Sequence, residues 1–289
     1  MSRRRELDKH RQKLVEIRDI MHSIKTLAYL ETRKLSRYLA AQQVVTENID
    51  AVATDFFTFH RDFLPTADNA KPIFLLVGTE RGFCGDFNDN VRQSMQVELD
   101  TSENDKPMYI CLGRKLTPDN VAGIQPVASL PNVTTVDETG NVLSDLVEIL
   151  INLQPRHGSI QLNVLYHQDE SATVTNEQIL PPFQELRDVS DRYTYPPLLN
   201  LPLDQFVREL IDHYLYAVLH KVLYYSLMAE NRRRVQHLES AIHRLDNRSD
   251  ELRGKCNALR QEEIIEEIEV ILLNIDSMTH KNIGEASSS

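Results

Sequence analysis

The chain has 289 residues, of which 41% are hydrophobic and 26% charged, and it holds only nine glycines. This is the composition of a folded globular protein that favours helices, and it excludes wholesale disorder. The formal net charge of −11 argues against a nucleic-acid-binding protein that relies on overall charge. Apolar runs such as 73–77 and 270–273 are too short to cross a membrane, and no apolar signal core follows the basic N-terminus.

The first long helix is predicted over residues 1–64. Residues 6–63 lack glycine and proline, and apolar side chains recur at spacings of three and four. A 3.5-residue period sustained this long predicts a helix wound left-handed against a partner, roughly 85 Å long, and Pro65 is expected to end it. The stripe has two polar members and thirteen apolar or aromatic ones: Leu14, Ile17, Met21, Ile24, Ala28, Glu31, Leu35, Tyr38, Gln42, Val45, Ile49, Val52, Phe56, Phe59 and Phe63.

The middle of the chain, residues 70–200, has a different pattern. Short apolar or alternating runs bounded by turn residues predict strands, and helical patterns separate them. This alternation predicts a small α/β domain with a mostly parallel sheet. The predicted strands are 73–78, 108–113 and 160–167, and the predicted helices are 88–99 and 142–153.

A second long helix is predicted over 203–279, followed by a disordered tail at 280–289. It contains no proline, would be roughly 110 Å long, and has an obvious partner in the first helix. The predicted fold is therefore an α/β domain inserted between two long terminal helices that form an antiparallel coiled coil, with polar breaks at Glu31, Gln42 and Ser249 fixing its register. Its apolar positions are Phe206, Leu210, Val218, Leu219, Val222, Leu223, then Val235, Leu238, Ile242, Leu245, Leu252, Cys256, Leu259, and finally Ile264, Ile268, Ile271, Ile275 and Met278.

The loop at 79–88, T-E-R-G-F-C-G-D-F-N, joins the first predicted strand to a helix. Glycines in such a loop can hold a phosphate on backbone N–H groups, but no G-K-[ST] follows and no acidic residue closes a second strand. The alternative is a tight turn with Glu80 and Arg81 exposed. Cys84 can be a nucleophile or a buried packing residue, and packing is the commoner role. We expect no cofactor, no metal and no catalytic residue.

Charges are distributed unevenly along the two helices. In an antiparallel pair, the basic start of the first helix, from Arg3 to Lys13, runs near the acidic stretch 262–269 of the second. These charges, together with the arginine triplet 232–234, either set the register of the pair or face a partner surface around it. Both interpretations remain open.

Two motifs resemble those of one family, the gamma subunit of F-type ATP synthases. The family's loop S/T-D-R-G-L-C-G-G-L-N corresponds to 79–88. Its C-terminal helix reads S-E-x-x-x-R-M and then L-x-x-x-x-N-x-x-R-Q-x-x-I-x-x-E-[LI], and the second part aligns without a gap. The matching residues of this helix are Glu230, Arg234, Leu252, Asn257, Arg260, Gln261, Ile264, Glu267 and Ile268.

The chain departs from the family pattern at several positions. A small-residue stretch of the type M-V-A-A-S-K is here T-L-A-Y-L-E at 26–31, with Glu31 where a lysine is usual. R-M-x-A-M becomes R-V-Q-H-L at 234–238, and Asp86 replaces a glycine. These departures indicate a divergent branch, such as the gamma-like subunit of an alternative rotary ATPase working beside a standard one.

The resemblance implies a non-catalytic rotor shaft that couples ion flow to ATP synthesis or hydrolysis. Its implied partners are the alpha and beta subunits of the catalytic hexamer, the epsilon subunit and the ring of c subunits. The implied location is the cytoplasmic face of the inner (plasma) membrane, reached through the complex only, with no nucleic acid bound. The partner-contact residues we expect are Lys25, Arg33 and Lys34 on the first helix, Arg81, Phe83 and Asp86 at the foot, and Arg233, Arg234, Arg260, Gln261 and Glu267 on the second helix.

Two other classes of protein give different expectations. A coiled-coil scaffold with an inserted domain would form a self-sufficient dimer without affinity for alpha and beta subunits. A nucleotide-using α/β enzyme with helical arms would bind nucleotide directly at loop 79–88.

Overall fold

The computed structural model describes residues 2–66, 70–101, 107–116, 125–168, 173–188 and 195–286, without the side chains of 2, 154–157 and 274–286. The described segments contain four α-helices and five strands. In chain order these are α1 (Ser2–Phe59), β1 (Lys71–Val77), α2 (Phe87–Thr101), β2 (Met108–Leu112), β3 (Ala128–Leu130), α3 (Thr139–His157), β4 (Ile160–Tyr166), β5 (Thr175–Leu180) and α4 (Leu203–Ala286).

The chain divides into two compact units. The sheet unit is Thr26–His237, and the helical unit combines Met1–Lys25 with Leu238–Ser289. In the sheet unit the strand order is β3-β2-β1-β4-β5. Three neighbouring pairs are parallel, and β5 is antiparallel to β4. The predicted mixed α/β domain between long terminal helices is therefore confirmed, while β3 and β5 were not predicted.

The sheet is covered on both faces, as parallel sheets require. Alternate residues of β1 point to opposite sides: Ile73, Leu75 and Val77 pack in a large core with α3, part of α4 and Leu35. Phe74 and Leu76 pack in a smaller core with α2. Because β1 is buried on both faces, its sequence is a continuous apolar run instead of an alternation.

Helix α1 ends at Phe59, and one 3₁₀ turn, Arg61–Phe63, follows before Pro65. The proline therefore does not end the helix directly, because the backbone has already left helical geometry at His60. In the sheet unit, Leu35 and Phe56 of the predicted stripe are buried.

Ile17 of the predicted stripe is exposed in the helical unit, and three members are exposed in the sheet unit: Tyr38, Val45 and Val52. Their neighbours Leu39, Thr46 and Ala53 are buried or half-buried instead. The sequence stripe was wrong at these positions. A straight helix repeats every 3.6 residues, so the inward face drifts from a strict 3.5-residue stripe by about one position over this length.

Helix α4 runs from Leu203 to Ala286, so the predicted disordered tail is helical over 280–286. Residues 287–289 lie outside the described residues. The six wide-face positions of α4 in the sheet unit, from Phe206 to Leu223, are buried or half-buried. In the helical unit, Leu238, Ile242 and Leu252 are buried.

Ion pairs join α1 and α4 within the helical unit. Arg4 contacts Glu263 at 3.1 Å, Arg18 contacts Asp246 at 3.4 Å, and Lys25 contacts Glu239 at 3.5 Å. Residue numbers rise on one helix as they fall on the other, so these two segments are antiparallel. The basic start of α1 thus meets the acidic stretch of α4, as its charge pattern predicted.

Candidate functional site

The loop between β1 and α2 is held at both ends by side chains of its own. Thr79 N donates to Asn88 Oδ1 at 2.9 Å, and Asn88 Nδ2 donates back to Thr79 Oγ1 at 2.9 Å. Residue 113, after β2, comes so close to this turn that a Cβ there would lie 2.7 Å from Thr79 O. Gly113 also has a φ of +106°, a backbone conformation that only glycine adopts without strain.

Glu80 is turned into the chain, contrary to the predicted exposed turn, and its side chain is only 10% exposed. Its Oε2 accepts hydrogen bonds from the backbone N–H of Arg114 (3.1 Å) and of Asn132 (2.9 Å). Arg114 Nε also pairs with Glu80 Oε1 at 2.9 Å. A carboxylate therefore occupies backbone donors just after the carboxyl ends of β2 and β3, where it would repel a phosphate. Arg81 is exposed as predicted.

The crevice at the carboxyl ends of β1 and β4 is also filled. In doubly wound sheets, ligands bind where the strand order reverses, which is here between these two strands. The His167 ring follows β4, is fully buried, and packs against Phe87 in a tilted arrangement with a 4.0 Å centroid separation and a 43° interplanar angle. Its Nε2 lies 3.1 Å from Phe87 O. These contacts argue against the nucleotide-enzyme alternative.

Arg234 of α4 forms the centre of the site. Its guanidinium is buried and donates to four acceptors on two elements. Nε reaches Gly82 O at 3.2 Å, and Nη1 reaches Asn231 Oδ1 at 2.8 Å. Nη2 reaches Cys84 Sγ at 3.3 Å and also pairs closely with Glu230 Oε1. One side chain thereby fastens loop 79–88 to α4.

Glu230 and Cys84 are the buried acids of this site. Glu230 is 2% exposed, and burial raises its pKa to about 7, although Arg234 and the backbone of Arg81 act in the opposite direction. Burial first, and the charge of Glu230 second, raise the pKa of Cys84 to about 12. Cys84 is therefore a neutral packing group and acceptor for Arg234, because nucleophilic cysteines need a lowered pKa.

Arg233 makes a second attachment beside the first. Its Nη1 contacts Asp86 Oδ1 at 2.7 Å, and its guanidinium lies 5.8 Å from the centre of the Phe87 ring. Asp86 replaces a glycine of the family loop, so this ion pair is a contact that the usual residue cannot make. The Phe87 ring thus contacts both Arg233 and His167.

The loop tip carries an unusual backbone. Phe83 has a φ of +66° and Gly85 one of +62°. A positive φ is uncommon for an aromatic residue and stores local strain. The Phe83 ring is nevertheless 47% exposed, so the strain does not serve to bury it.

The predicted contact residues of α1 lie in different settings. Lys25 pairs with Glu239 within the helical unit. Lys34 Nζ lies 2.6 Å from Asp137 Oδ2, and this contact raises the pKa of Lys34. Arg33 is exposed and lies 5.6 Å from the centre of the Tyr29 ring.

The predicted contact residues of α4 divide into two groups. Arg260, Gln261 and Glu267 are exposed, and seven exposed apolar side chains surround or follow them: Ile264, Ile265, Ile268, Val270, Ile271, Leu272 and Leu273. Arg233 and Arg234 are instead buried. Their expected role as direct contacts does not fit this burial, because both side chains are committed to the chain's own loop.

Sequence reasoning located both motifs without joining them. Loop 79–88 and the E-x-x-x-R motif at 230–234 form one site, although some 150 residues separate Arg234 from Cys84. The available signal was the i,i+4 acid–base pair Glu230 and Arg234 directly after the largely apolar run 222–229, because a charge pair on a packed helix face requires further polar partners. Among the side chains that the structure describes, no cluster of three or more His, Cys, Asp or Glu could hold a metal ion.

Solved structures share this fold. A chain of the Euglena gracilis mitochondrial ATP synthase, in an OSCP/F1/c-ring structure, matches with a TM-score of 0.61 and 16% identity, covering 96% of this chain and 95% of that one. A chain of the rotor from the same source matches with a TM-score of 0.59 and 14% identity, covering 91% of this chain and 99% of that one. A central stalk/c-ring chain of Tetrahymena thermophila mitochondrial ATP synthase matches with a TM-score of 0.51 and 17% identity, covering 77% of this chain and 99% of that one.

A family model described as ATP synthase matches residues 3–277, and the chain therefore belongs to the ATP synthase family. The resemblance inferred from the two motifs is thus confirmed. A Clostridium botulinum ATP synthase gamma chain is 20% identical over 272 residues, covering 91% of this chain and 94% of the relative. A gamma chain of Clostridium perfringens is 21% identical over 281 residues with the same coverage. Within the described helices, none has the length and hydropathy needed to span a bilayer.

Proposed function

We propose that this chain is the gamma subunit of an F-type rotary ATP synthase, the central shaft that couples ion flow to ATP synthesis or hydrolysis. The observation that carries the proposal is the extent of the family match: residues 3–277 include nearly all of both long helices and the whole sheet. The Clostridium relatives, which match over nearly their whole length, are gamma chains.

We infer that α1 and α4 pair as an antiparallel coiled coil. The three ion pairs of the helical unit support this pairing. In the sheet unit, Gln42 Nε2 donates to Ala217 O at 2.8 Å, and the Tyr38 and Tyr224 rings lie 5.9 Å apart. Two packed helices resist twisting and bending better than one, which is the property a torque-transmitting shaft requires.

The C-terminal part of α4 is suited to a surrounding partner. Its exposed side chains at 264–273 include many apolar ones, and a patch of this kind marks an interaction site. We propose that the alpha and beta subunits enclose this segment, with Arg260, Gln261 and Glu267 making polar contacts. Lys25, Arg33 and Lys34 are the proposed contacts on α1.

The sheet unit is proposed to contact the epsilon subunit and the c-subunit ring. Arg81, Phe83 and Asp86 lie on the exposed side of loop 79–88, and an exposed aromatic ring beside charges is typical of a contact surface. Such binding would hold the chain at the cytoplasmic face of the membrane through the complex only.

The proposed subunit is non-catalytic. The largely buried Glu80 side chain and the Phe87–His167 ring contact occupy the places where a doubly wound sheet would receive nucleotide. The nucleotide chemistry then belongs to alpha and beta. The alternative function, a coiled-coil scaffold without rotary role, has no observation of its own to favour it.

Co-purification tests the proposal. The chain, tagged at its C-terminus behind a flexible linker, is isolated from native membranes, and the proteins that accompany it are identified by mass spectrometry. We expect alpha, beta and epsilon subunits in fixed ratio, together with c subunits. A chain that is recovered alone, or only with itself, leaves the fold standing and removes the rotor role.

A further inference from the structure

Arg234 donates hydrogen bonds to a set of four acceptors that no other type of side chain could reach together. The acceptors are a main-chain carbonyl (Gly82), a thiol (Cys84), an amide (Asn231) and a carboxylate (Glu230), all within hydrogen-bond reach of one buried guanidinium. A lysine has a single donor nitrogen and cannot reach acceptors in this fork geometry. The arrangement is therefore specific to arginine.

The loop residues that Arg234 holds flank Phe83 on both sides. Arg234 contacts Gly82 O and Cys84 Sγ, and between them Phe83 adopts its positive φ with its ring in solvent. A strained residue persists only when its surroundings over-determine it. Fixing the residues before and after Phe83 provides that constraint.

We propose that Arg234 is a positioning residue, oriented by Glu230, which holds loop 79–88 in the one shape that presents the Phe83 ring to a partner. The inference concerns the isolated chain. It rests on the proposed function only where it takes the Phe83 surface as a partner contact. Without the attachment, the loop opens locally and the sheet remains folded.

Glu230 makes this opening depend on pH. Its Oε1 pairs with Arg234, and no hydrogen-bond partner is seen for its Oε2 among the described side chains. The other charged or titratable groups around the site are Arg81, Cys84, Asp86, Arg233 and His237.

The sign of the pH effect follows from the position of Glu230. With the loop closed, burial holds the pKa of Glu230 near 7. An opened loop lets water reach the carboxyl group, and its pKa returns toward the ordinary value. Opening is therefore accompanied by proton release, so that it becomes easier as pH rises through 7 and harder as pH falls.

Chemical labelling of the three cysteines measures the opening of loop 79–88 directly. Cys84 is a buried residue of the loop itself, Cys111 is fully buried in β2, and Cys256 is half-buried on α4. Maleimide labelling of each is followed by peptide mass spectrometry. The quantity compared is the maleimide labelling rate of Cys84 divided by that of Cys256, called the Cys84-to-Cys256 ratio. This ratio reports loop opening and corrects for the effect of pH on thiolate formation. Labelling of Cys111 reports global unfolding.

We expect Arg234→Lys to raise the Cys84-to-Cys256 ratio on the order of tenfold, since two hydrogen bonds to the loop are lost. Cys111 remains unlabelled. The matched control is Arg232→Lys, two positions away and exposed, and its ratio equals that of the wild type. A ratio for Arg234→Lys equal to the control, or labelling of Cys111 as fast as Cys84, overturns the proposal.

The pH profile separates positioning from a merely structural role. Between pH 6 and 8 the wild-type ratio should rise on the order of tenfold, and Glu230→Gln should abolish that slope. A flat wild-type profile, or an unchanged slope in Glu230→Gln, contradicts the proposal even if Arg234→Lys fails to fold. These measurements need no other subunit. Their outcome for the role of Arg234 is therefore independent of the outcome of the co-purification experiment for the rotor role.

Discussion

At the scale of single residues, polar side chains expected to interrupt a helical seam have specific partners. Gln42 donates across to the main chain of α4 at Ala217. Glu31, where the family usually has lysine, accepts a hydrogen bond from Val136 N at 2.9 Å, and Lys34 pairs with the adjacent Asp137. The departure at Glu31 thus serves the 3₁₀ turn Val136–Glu138 of the chain itself.

Glu31→Lys, which restores the usual family residue, should destabilise this chain by about 1–3 kcal/mol. The change removes the acceptor of Val136 N–H and places a second cation beside Lys34. Glu31→Gln keeps an acceptor and should cost less. Urea denaturation followed by circular dichroism measures both, and equal stability of Glu31→Lys and the wild type would show that the contact at Val136 contributes nothing.

Two glycines should respond to alanine in opposite directions. Gly113→Ala should destabilise the chain by more than about 1 kcal/mol, because its φ of +106° is strained for alanine and the new Cβ meets Thr79 O and Gly78. Gly254→Ala should stabilise by about 0.5–1 kcal/mol, because residue 254 lies in α4 with open space around its Cβ position.

The free energies of unfolding of these two variants are compared with that of the wild type. Equal stability of Gly113→Ala and Gly254→Ala would contradict the close contact between residue 113 and the β1–α2 loop.

At the scale of elements, each long helix is continuous, but the set of its side chains that is buried changes along its length. The inward face of α1 includes Leu39, Thr46 and Ala53 in place of the expected Tyr38, Val45 and Val52. The displaced valines, now exposed, line an apolar groove together with Phe206 and Tyr216 of α4. Helix α4 likewise packs on the sheet near Leu219 and is exposed near Leu272.

The same substitution at two positions of α4 should therefore have different costs. Leu219 is 0% exposed in the main core, and Leu219→Ala should destabilise by about 2–5 kcal/mol. Leu272 is 57% exposed, and Leu272→Ala should change stability by less than about 0.5 kcal/mol. Chemical denaturation gives both values, and a large cost at Leu272 would mean that its side chain is buried by some contact in the free chain.

At the scale of the whole molecule, the chain's own side chains Phe87 and His167 fill the crevice where the strand order reverses, and we predict that the chain does not hydrolyse ATP. The purified chain should show no ATP hydrolysis above that of an identically purified Arg114→Ala variant. That variant exposes the Glu80 carboxylate without creating a phosphate site. Release of inorganic phosphate is measured with and without Mg²⁺, and turnover that follows the pure wild-type protein through gel filtration would contradict a non-catalytic subunit.

The sequence by itself determined the element types, since long runs without glycine or proline must be helical and β1, buried on both faces, must be apolar throughout. It did not reveal β3 or β5, because β3 has three residues and β5, T-N-E-Q-I-L, is a half-exposed edge strand with few apolar side chains. Only the tertiary structure decided which charges face outward. It placed Arg233, Arg234 and Glu80 inside and brought Cys84 to Glu230, because burying a charge requires partners that lie far away along the chain and are adjacent only after folding.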